Sequence, residues 1–395
     1  MLKKETYKDM ITANQAVALA AVRAKPKVIA AYPISPQTTI VEYLADYCAS
    51  GDLDAEYVRV ESEHSAMTVV TAAQGTGVRT FTATASQGLA YMHEVVAATG
   101  GMRLPVVMFV ANRTLMSPGG IWPEYSDTMP ERDTAWLQVY VEDNQEVFDM
   151  IIQAYKIAEN KDVLLPIMVC GDGYILTHTS DTVEILGEKE VDEFLPPYKP
   201  EHAYLDIERP LAQGIIVPPA YHMEAKYQMH MAMRKAKRVI QEVNEEFAKR
   251  FGRNYGGLID AYKLEDAEIA LTVVGSTTGT ARTVVDELRE KGIKIGLLKI
   301  RFFRPFPFEE IREALKDKKA IGVFDRSLSY GSTGQFFAEV RNALYGLNIP
   351  IINFIAGLGG RDIREEDIRT MITKIEELKD KEQPEDPIVF ANTRF

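Results

Sequence analysis

Glu56-Tyr57-Val58-Arg59-Val60-Glu61-Ser62-Glu63-His64, followed after one helix length by Thr80-Phe81-Thr82-Ala83-Thr84-Ala85-Ser86-Gln87-Gly88, is the stretch on which the fold turns. Tyr57 to Val60 has the β-branched and aromatic content of a strand, and His64 to Gly75 is small and apolar along its length, as a buried helix would be. Thr80 to Thr84 predicts a second strand, running into a turn whose Gly88 lets a backbone or ligand approach closely. This strand–helix–strand unit sets Glu63 where a strand hands over to a helix. A carboxylate there loses solvation, so its pKa is expected to rise and it can share a proton with a ring nitrogen of a bound cofactor. The plain alternative is that Glu61 and Glu63 are first-turn acids that favour the helix macrodipole.

The alternation continues outward. Asn14 to Arg23 predicts an alanine-rich helix, Val28 to Tyr32 a strand, Ile40 to Cys48 a helix closed by Gly51, Leu89 to Gly100 a helix and Pro105 to Val110 a strand. Helix Val147 to Asn160 and strand Val163 to Cys170 complete a first unit. Strands apolar on both faces, alternating with helices, imply an α/β fold with a doubly wound parallel sheet and sites at the carboxyl ends of its strands. Prolines at 196, 197, 200, 210, 218 and 219 suggest an extended arm, and Met223 to Phe251 reads as one long amphipathic helix. Beyond the glycine-broken stretch Gly252 to Asp266, strands and helices alternate again, a second doubly wound unit. The expected domains are residues 1–180, an arm and linking helix over 181–258, and 259–395.

With 395 residues the chain can bury two or three cores. Its 57 acidic against 45 basic residues give a net charge of −12, which argues against nucleic acid as a partner. No window approaches the ~20 apolar residues of a membrane span, and no apolar run follows Met1-Leu2-Lys3-Lys4-Glu5, so a cytoplasmic protein is expected. Cys48 and Cys170 are too few for an iron–sulfur cluster held by about four thiolates. Any such cluster belongs to another chain.

Five motifs occur in order: Tyr32-Pro33-Ile34-Ser35-Pro36-Gln37-Thr38-Thr39, Val60-Glu61-Ser62-Glu63-His64-Ser65-Ala66, Thr80 through Gly88, Asn112-Arg113, and Phe354-Ile355-Ala356-Gly357-Leu358-Gly359-Gly360-Arg361-Asp362. Together they resemble the 2-oxoacid:ferredoxin oxidoreductase family, in particular the separate alpha subunit and the branch acting on pyruvate. The resemblance covers nearly the whole chain. It implies a pyrimidine-binding-type thiamine diphosphate domain followed by a transketolase C-terminal-like domain. It also implies oxidative decarboxylation of a 2-oxo acid with coenzyme A, electrons passing to ferredoxin. The resemblance gives Glu63 the role of cofactor-activating carboxylate, Glu61 being the rival candidate. Arg113 becomes the arginine that grips the substrate carboxylate, and Ser35 a substrate-binding donor where the family usually has threonine. It further implies beta, gamma and delta partner subunits carrying Mg²⁺, [4Fe-4S] clusters and the grip on the cofactor diphosphate.

Other motifs divide between chemistry and plain structure. Gly171-Asp172-Gly173 has the form of a diphosphate and Mg²⁺ grip, but the next asparagine is Asn244, so a plain turn is expected and the chain supplies half a site. The segment Ser117 to Asp133, with Trp122 and Asp127, is long enough to face substrate. Gly275-Ser276-Thr277-Thr278-Gly279-Thr280 could cradle an anion at a helix start, yet lacks the Lys-Ser/Thr of a P-loop; it is read as structural. Arg304-Pro305-Phe306-Pro307 and the Gly357 motif read as turns in subunit contacts. His64, His93 and His178 show no metal spacing. Two alternatives stay open: the same chemistry on a branched-chain 2-oxo acid, 2-oxoglutarate or oxalate, and a non-catalytic nucleotide-binding or docking subunit using the Gly275 loop.

Overall fold

Val107–Asn112 is buried at all six positions. Pleating sends Val107, Phe109 and Ala111 into one core and Met108 and Val110 into another. No polar alternation survives in such a strand because helices cover both its faces. In the computed structural model, which describes all residues except Met1, Ser117, Ala203, Asp380 and Phe395, this strand is the centre of a seven-stranded sheet. Its order is Phe302–Arg304, Leu137–Tyr140, Ile167–Asp172, Val107–Asn112, Thr80–Thr84, Val28–Ala30, Glu56–Val58. Six strands are parallel; Phe302–Arg304 runs antiparallel at the edge.

A six-stranded sheet follows: Ile388–Phe390, Ile351–Ile355, Ala320–Asp325, Ile269–Val273, Ile295–Ile300, Ile259–Tyr262, parallel except for the last strand. The α/β doubly wound architecture expected from the alternation is therefore present in both sheets. One core lies between the first sheet and the helices Ala13–Ala24 and Asn144–Ala158. The other runs without a break from the opposite face of that sheet into the second sheet. At the junction Tyr140 packs edge-on against Tyr125 at 4.7 Å and Phe336 at 5.6 Å between ring centres.

Several expectations are corrected. Arg304 itself ends a strand rather than lying in the turn that follows: it pairs with Gln138 inside the first sheet and binds Glu339 at 2.6 Å. The Gly357 motif likewise makes internal contacts, Gly359 N donating to Glu124 Oε2 at 2.8 Å and Gly360 N to the Pro123 carbonyl at 3.1 Å. The proposed arm is ordered over its first part, where Asp181–Ile185 pairs antiparallel with Tyr7–Ile11 and Glu188–Phe194 is helical. The helix expected from Leu89 to Gly100 is two helices, Ser86–Tyr91 and His93–Met102, broken at Met92. The long helix begins earlier, at Pro219, whose ring suits a first helical turn.

Buried ion pairs hold the sheets together. Glu146, fully buried in helix Asn144–Ala158, takes Lys299 Nζ at 2.6 Å and Arg301 Nε at 2.8 Å. Burial alone would raise its pKa, but the two cations hold it down to about 2.

Candidate active site at the carboxyl edge of the first sheet

The chain reverses direction across the sheet at Val28–Ala30: the next strand in sequence, Glu56–Val58, lies on one side and Thr80–Thr84 on the other. Such a switch point leaves a crevice at the carboxyl ends of the strands. The segments leaving Ala30, Thr84 and Asn112 all open there. Gln37 ties the first to the second, its Nε2 donating to the Ala83 carbonyl at 2.7 Å. Asn14 Nδ2 steadies the same turn through the Pro36 carbonyl at 2.8 Å.

Ser35 and Arg113 meet in this crevice, Arg113 Nη1 donating to the Ser35 carbonyl at 2.6 Å. It is the backbone oxygen of Ser35 that makes this contact. Arg113 Nη2 donates to Gln87 Oε1, a partner the sequence reading did not single out. Burial pulls the guanidinium pKa below the ordinary arginine value, with Asp127 opposing.

Glu63 opens helix Glu63–Gly75, where Ser62 caps the helix by accepting from Ser65 N at 3.2 Å. The Glu63 side chain stands over Gly88: a β-carbon built there would lie 2.8 Å from Cγ and Oε1 of Glu63 and 2.5 Å from Thr84 Oγ1. Thr84 Oγ1 is buried with no hydrogen-bond partner among the described residues. Glu61, the rival, is exposed and accepts from the Ser65 hydroxyl, which holds its pKa below the usual carboxylate range. No hydrogen bond joins Glu63 to Ser35 or Arg113 among the described residues; Glu63 meets them through the Gln87-Gly88 turn.

The expected substrate-facing loop does not act as one unit. Its first residue, Ser117, lies outside the described residues. Trp122 packs against Tyr174 at 4.8 Å, whereas Asp127 is buried beneath the crevice. Asp172 is more than a turn residue: it ends strand Ile167–Asp172, accepts from Ser276 N at 2.8 Å and pairs with Arg326 at 3.1 Å. The anion held at the start of helix Thr277–Glu290 is therefore a carboxylate of this same chain.

Residues 19–245 match the family described as "Pyruvate flavodoxin/ferredoxin oxidoreductase, thiamine diP-bdg", and residues 267–368 match "Pyruvate:ferredoxin oxidoreductase core domain II". The chain belongs to the pyruvate:ferredoxin oxidoreductase family. Among its relatives, "Pyruvate synthase subunit PorA" of Methanocaldococcus jannaschii is 54% identical over 373 residues, 94% of this chain and 95% of that protein. The Pyrococcus horikoshii protein of the same name is 48% identical, covering 98% of both chains. "Ketoisovalerate oxidoreductase subunit VorA" of P. horikoshii is 44% identical, covering 92% of both. Of the solved structures, a 2-oxoglutarate:ferredoxin oxidoreductase from Magnetococcus marinus superposes with a TM-score of 0.71 at 17% identity, covering 94% of this chain. This chain spans 65% of that longer polypeptide. A split-gene transketolase superposes with a TM-score of 0.56 at 13% identity, covering 94% of this chain and all of that one. At these identities both establish the fold alone.

The pyruvate:ferredoxin oxidoreductase fold supplies part of what thiamine diphosphate requires. Around the Gly88 α-carbon stand the Glu63 carboxylate and the buried Thr84 hydroxyl, with no side chain on the glycine between them. These suit the aminopyrimidine end. Asp172, the residue whose Gly-Asp-Gly setting has the form of a diphosphate grip, is already engaged by Ser276 and Arg326.

Proposed function

We propose that this chain is the alpha-type subunit of a pyruvate synthase. In the overall reaction pyruvate and coenzyme A, with two oxidised ferredoxins, yield acetyl-CoA, CO₂, one proton and two reduced ferredoxins. What carries the reading is Glu63 standing over Gly88 beside the Arg113–Ser35 contact, in a chain 54% identical to a pyruvate synthase subunit.

Thiamine diphosphate, when bound, would supply a carbon nucleophile for the keto group and hold the electrons left by CO₂. Glu63 would hold a proton at the pyrimidine ring nitrogen, so that the exocyclic amine can act as the local base. Glu61, in water and bonded to Ser65, is poorly placed for this. Arg113 would present its two terminal nitrogens to the substrate carboxylate, a charge-assisted two-point contact, on giving up Ser35 or Gln87. Ser35 would add a donor at the crevice rim. With Asp172 engaged internally, the diphosphate, its Mg²⁺ and the [4Fe-4S] clusters fall to beta, gamma and delta subunits. Relatives that bear subunit names support such an assembly. The same engagement weighs against a nucleotide phosphate at the Gly275 loop.

Assembled with its partners, the complex should turn over pyruvate in preference to branched-chain 2-oxo acids. A second reading, 3-methyl-2-oxobutanoate as main substrate, draws on the ketoisovalerate relative, whose 44% identity is below the 54% of the pyruvate synthase relative. Comparing kcat/KM across a panel of 2-oxo acids decides between them. Glu63→Gln in the same complex should cut turnover by about 10²- to 10⁴-fold. Near-normal turnover would overturn the assignment of Glu63.

A further inference from the structure

Asp127 is buried, with 1% of its surface exposed, and no hydrogen bond joins it to Glu63 among the described residues. Its two oxygens nevertheless gather the segments that form the crevice floor. Oδ2 accepts from Ser86 N and from Arg113 N, both at 3.0 Å, and Oδ1 accepts from Asn112 Nδ2 at 2.8 Å. Ser86 begins the turn carrying Gln87 and Gly88; Arg113 begins the segment leaving Val107–Asn112. Ser86 holds a left-handed backbone, φ 47°, which a residue with a β-carbon keeps only under external constraint. Asp127 supplies that constraint from one side, and the Thr114 carbonyl, accepting from the Ser86 hydroxyl, supplies it from the other. Charged acceptors bind backbone N–H groups more tightly than neutral ones.

We infer that Asp127 is a positioning residue for substrate recognition: it fixes the distance between the Gln87-Gly88 turn and Arg113, and so aims the guanidinium. The inference rests on the reading of Arg113 as the group that meets the substrate carboxylate. Burial pushes the Asp127 carboxyl up to about 7 against the pull of its donors. Arg113, Tyr140 and Cys170 are the titratable groups that sense its charge. Asn112 also donates to Thr128 Oγ1 at 3.0 Å, so the network reaches the strand Leu137–Tyr140 through the Tyr140 hydroxyl.

Asp127→Ala and Asp127→Asn, each in the assembled complex, test this. Asp127→Ala is expected to raise KM for pyruvate at least tenfold and leave KM for coenzyme A within twofold. Asp127→Asn keeps one acceptor and should restore much of the loss. Amide hydrogen exchange over residues 80–92 and 107–116 should speed up in Asp127→Ala whether or not the enzyme turns over. Should Asp127→Ala not assemble, Asp127→Asn carries the same comparison, with a pyruvate KM raised more than twofold at unchanged coenzyme A KM expected. Unchanged pyruvate KM in both variants, or an equal rise for both substrates, overturns the inference. A wild-type complex inactive on every 2-oxo acid would instead overturn the proposed function, while the exchange measurement would still judge the constraint.

Discussion

A methyl group added at Gly88 would lie 2.5 Å from Thr84 Oγ1 and 2.8 Å from Cγ and Oε1 of Glu63. The backbone there is helical, which by itself favours alanine over glycine by about 0.5–1 kcal/mol. Thr84, stiff and buried, and Glu63 must however shift to admit the methyl, at a cost of about 1–3 kcal/mol. Gly88→Ala should therefore lower the Tm modestly while turnover drops about 10²-fold, the scale associated with displacing a reacting group by about 1 Å. Turnover and melting measured on the same preparation check this; a lowered Tm with near-normal turnover would mean that the glycine serves packing alone. The place of Glu63 at the start of a helix was legible in the sequence, a local signal; the choice of Glu63 over Glu61 as the cofactor carboxylate rested on the family resemblance. Gln87 and Asp127 were not legible in their roles. Asp127 reaches Ser86 across 41 residues, and no spacing rule reports a hydrogen bond of that range.

Long strands were readable because they are runs of β-branched and apolar residues, as in Thr80–Thr84 and Val107–Asn112, and both are buried at every position. Short strands at or next to a sheet edge were not. Phe302–Arg304, Leu137–Tyr140 and Ile388–Phe390 are too brief to carry a period, and their pairing depends on a neighbouring sheet. The ion cluster joining helix Asn144–Ala158 to strand Ile295–Ile300 has the same character, its partners being 153 and 155 residues apart. It makes a pH prediction. Glu146 is held down to about 2 against an ordinary 4.5, so its contribution is present above about 4.5 and is lost as the pH falls towards 2. The urea midpoint should fall between about pH 5 and pH 3. Glu146→Gln should flatten that slope and cost about 3–5 kcal/mol at neutral pH by stranding two buried cations. An unchanged slope would place the acid sensitivity elsewhere.

For the whole molecule, the half-site reading has a direct test. The isolated chain should bind thiamine diphosphate with Mg²⁺ at least about 100-fold more weakly than the assembled complex, since losing the diphosphate contacts costs several kcal/mol. Isothermal titration of both samples measures the ratio. Comparable affinity would mean that this polypeptide grips the diphosphate by itself. The two-sheet architecture was legible from strand–helix alternation, because each unit repeats a pattern that only a parallel sheet satisfies. How the sheets join was not, since the join is made by Asp172, Arg326, Glu146 and Lys299, charged residues that a sequence reading assigns to the surface.

Strand Phe302–Arg304 leaves the second half of the chain to close the open edge of the first sheet at Leu137–Tyr140. A gene cut between the halves would leave that edge bare, a template for pairing with other chains. Any recombination that exchanges C-terminal portions between paralogues must carry along a strand able to match this register. Divergence of the two portions is thereby coupled, and viable chimeras should have crossovers that preserve the pairing of Phe302 with Val139.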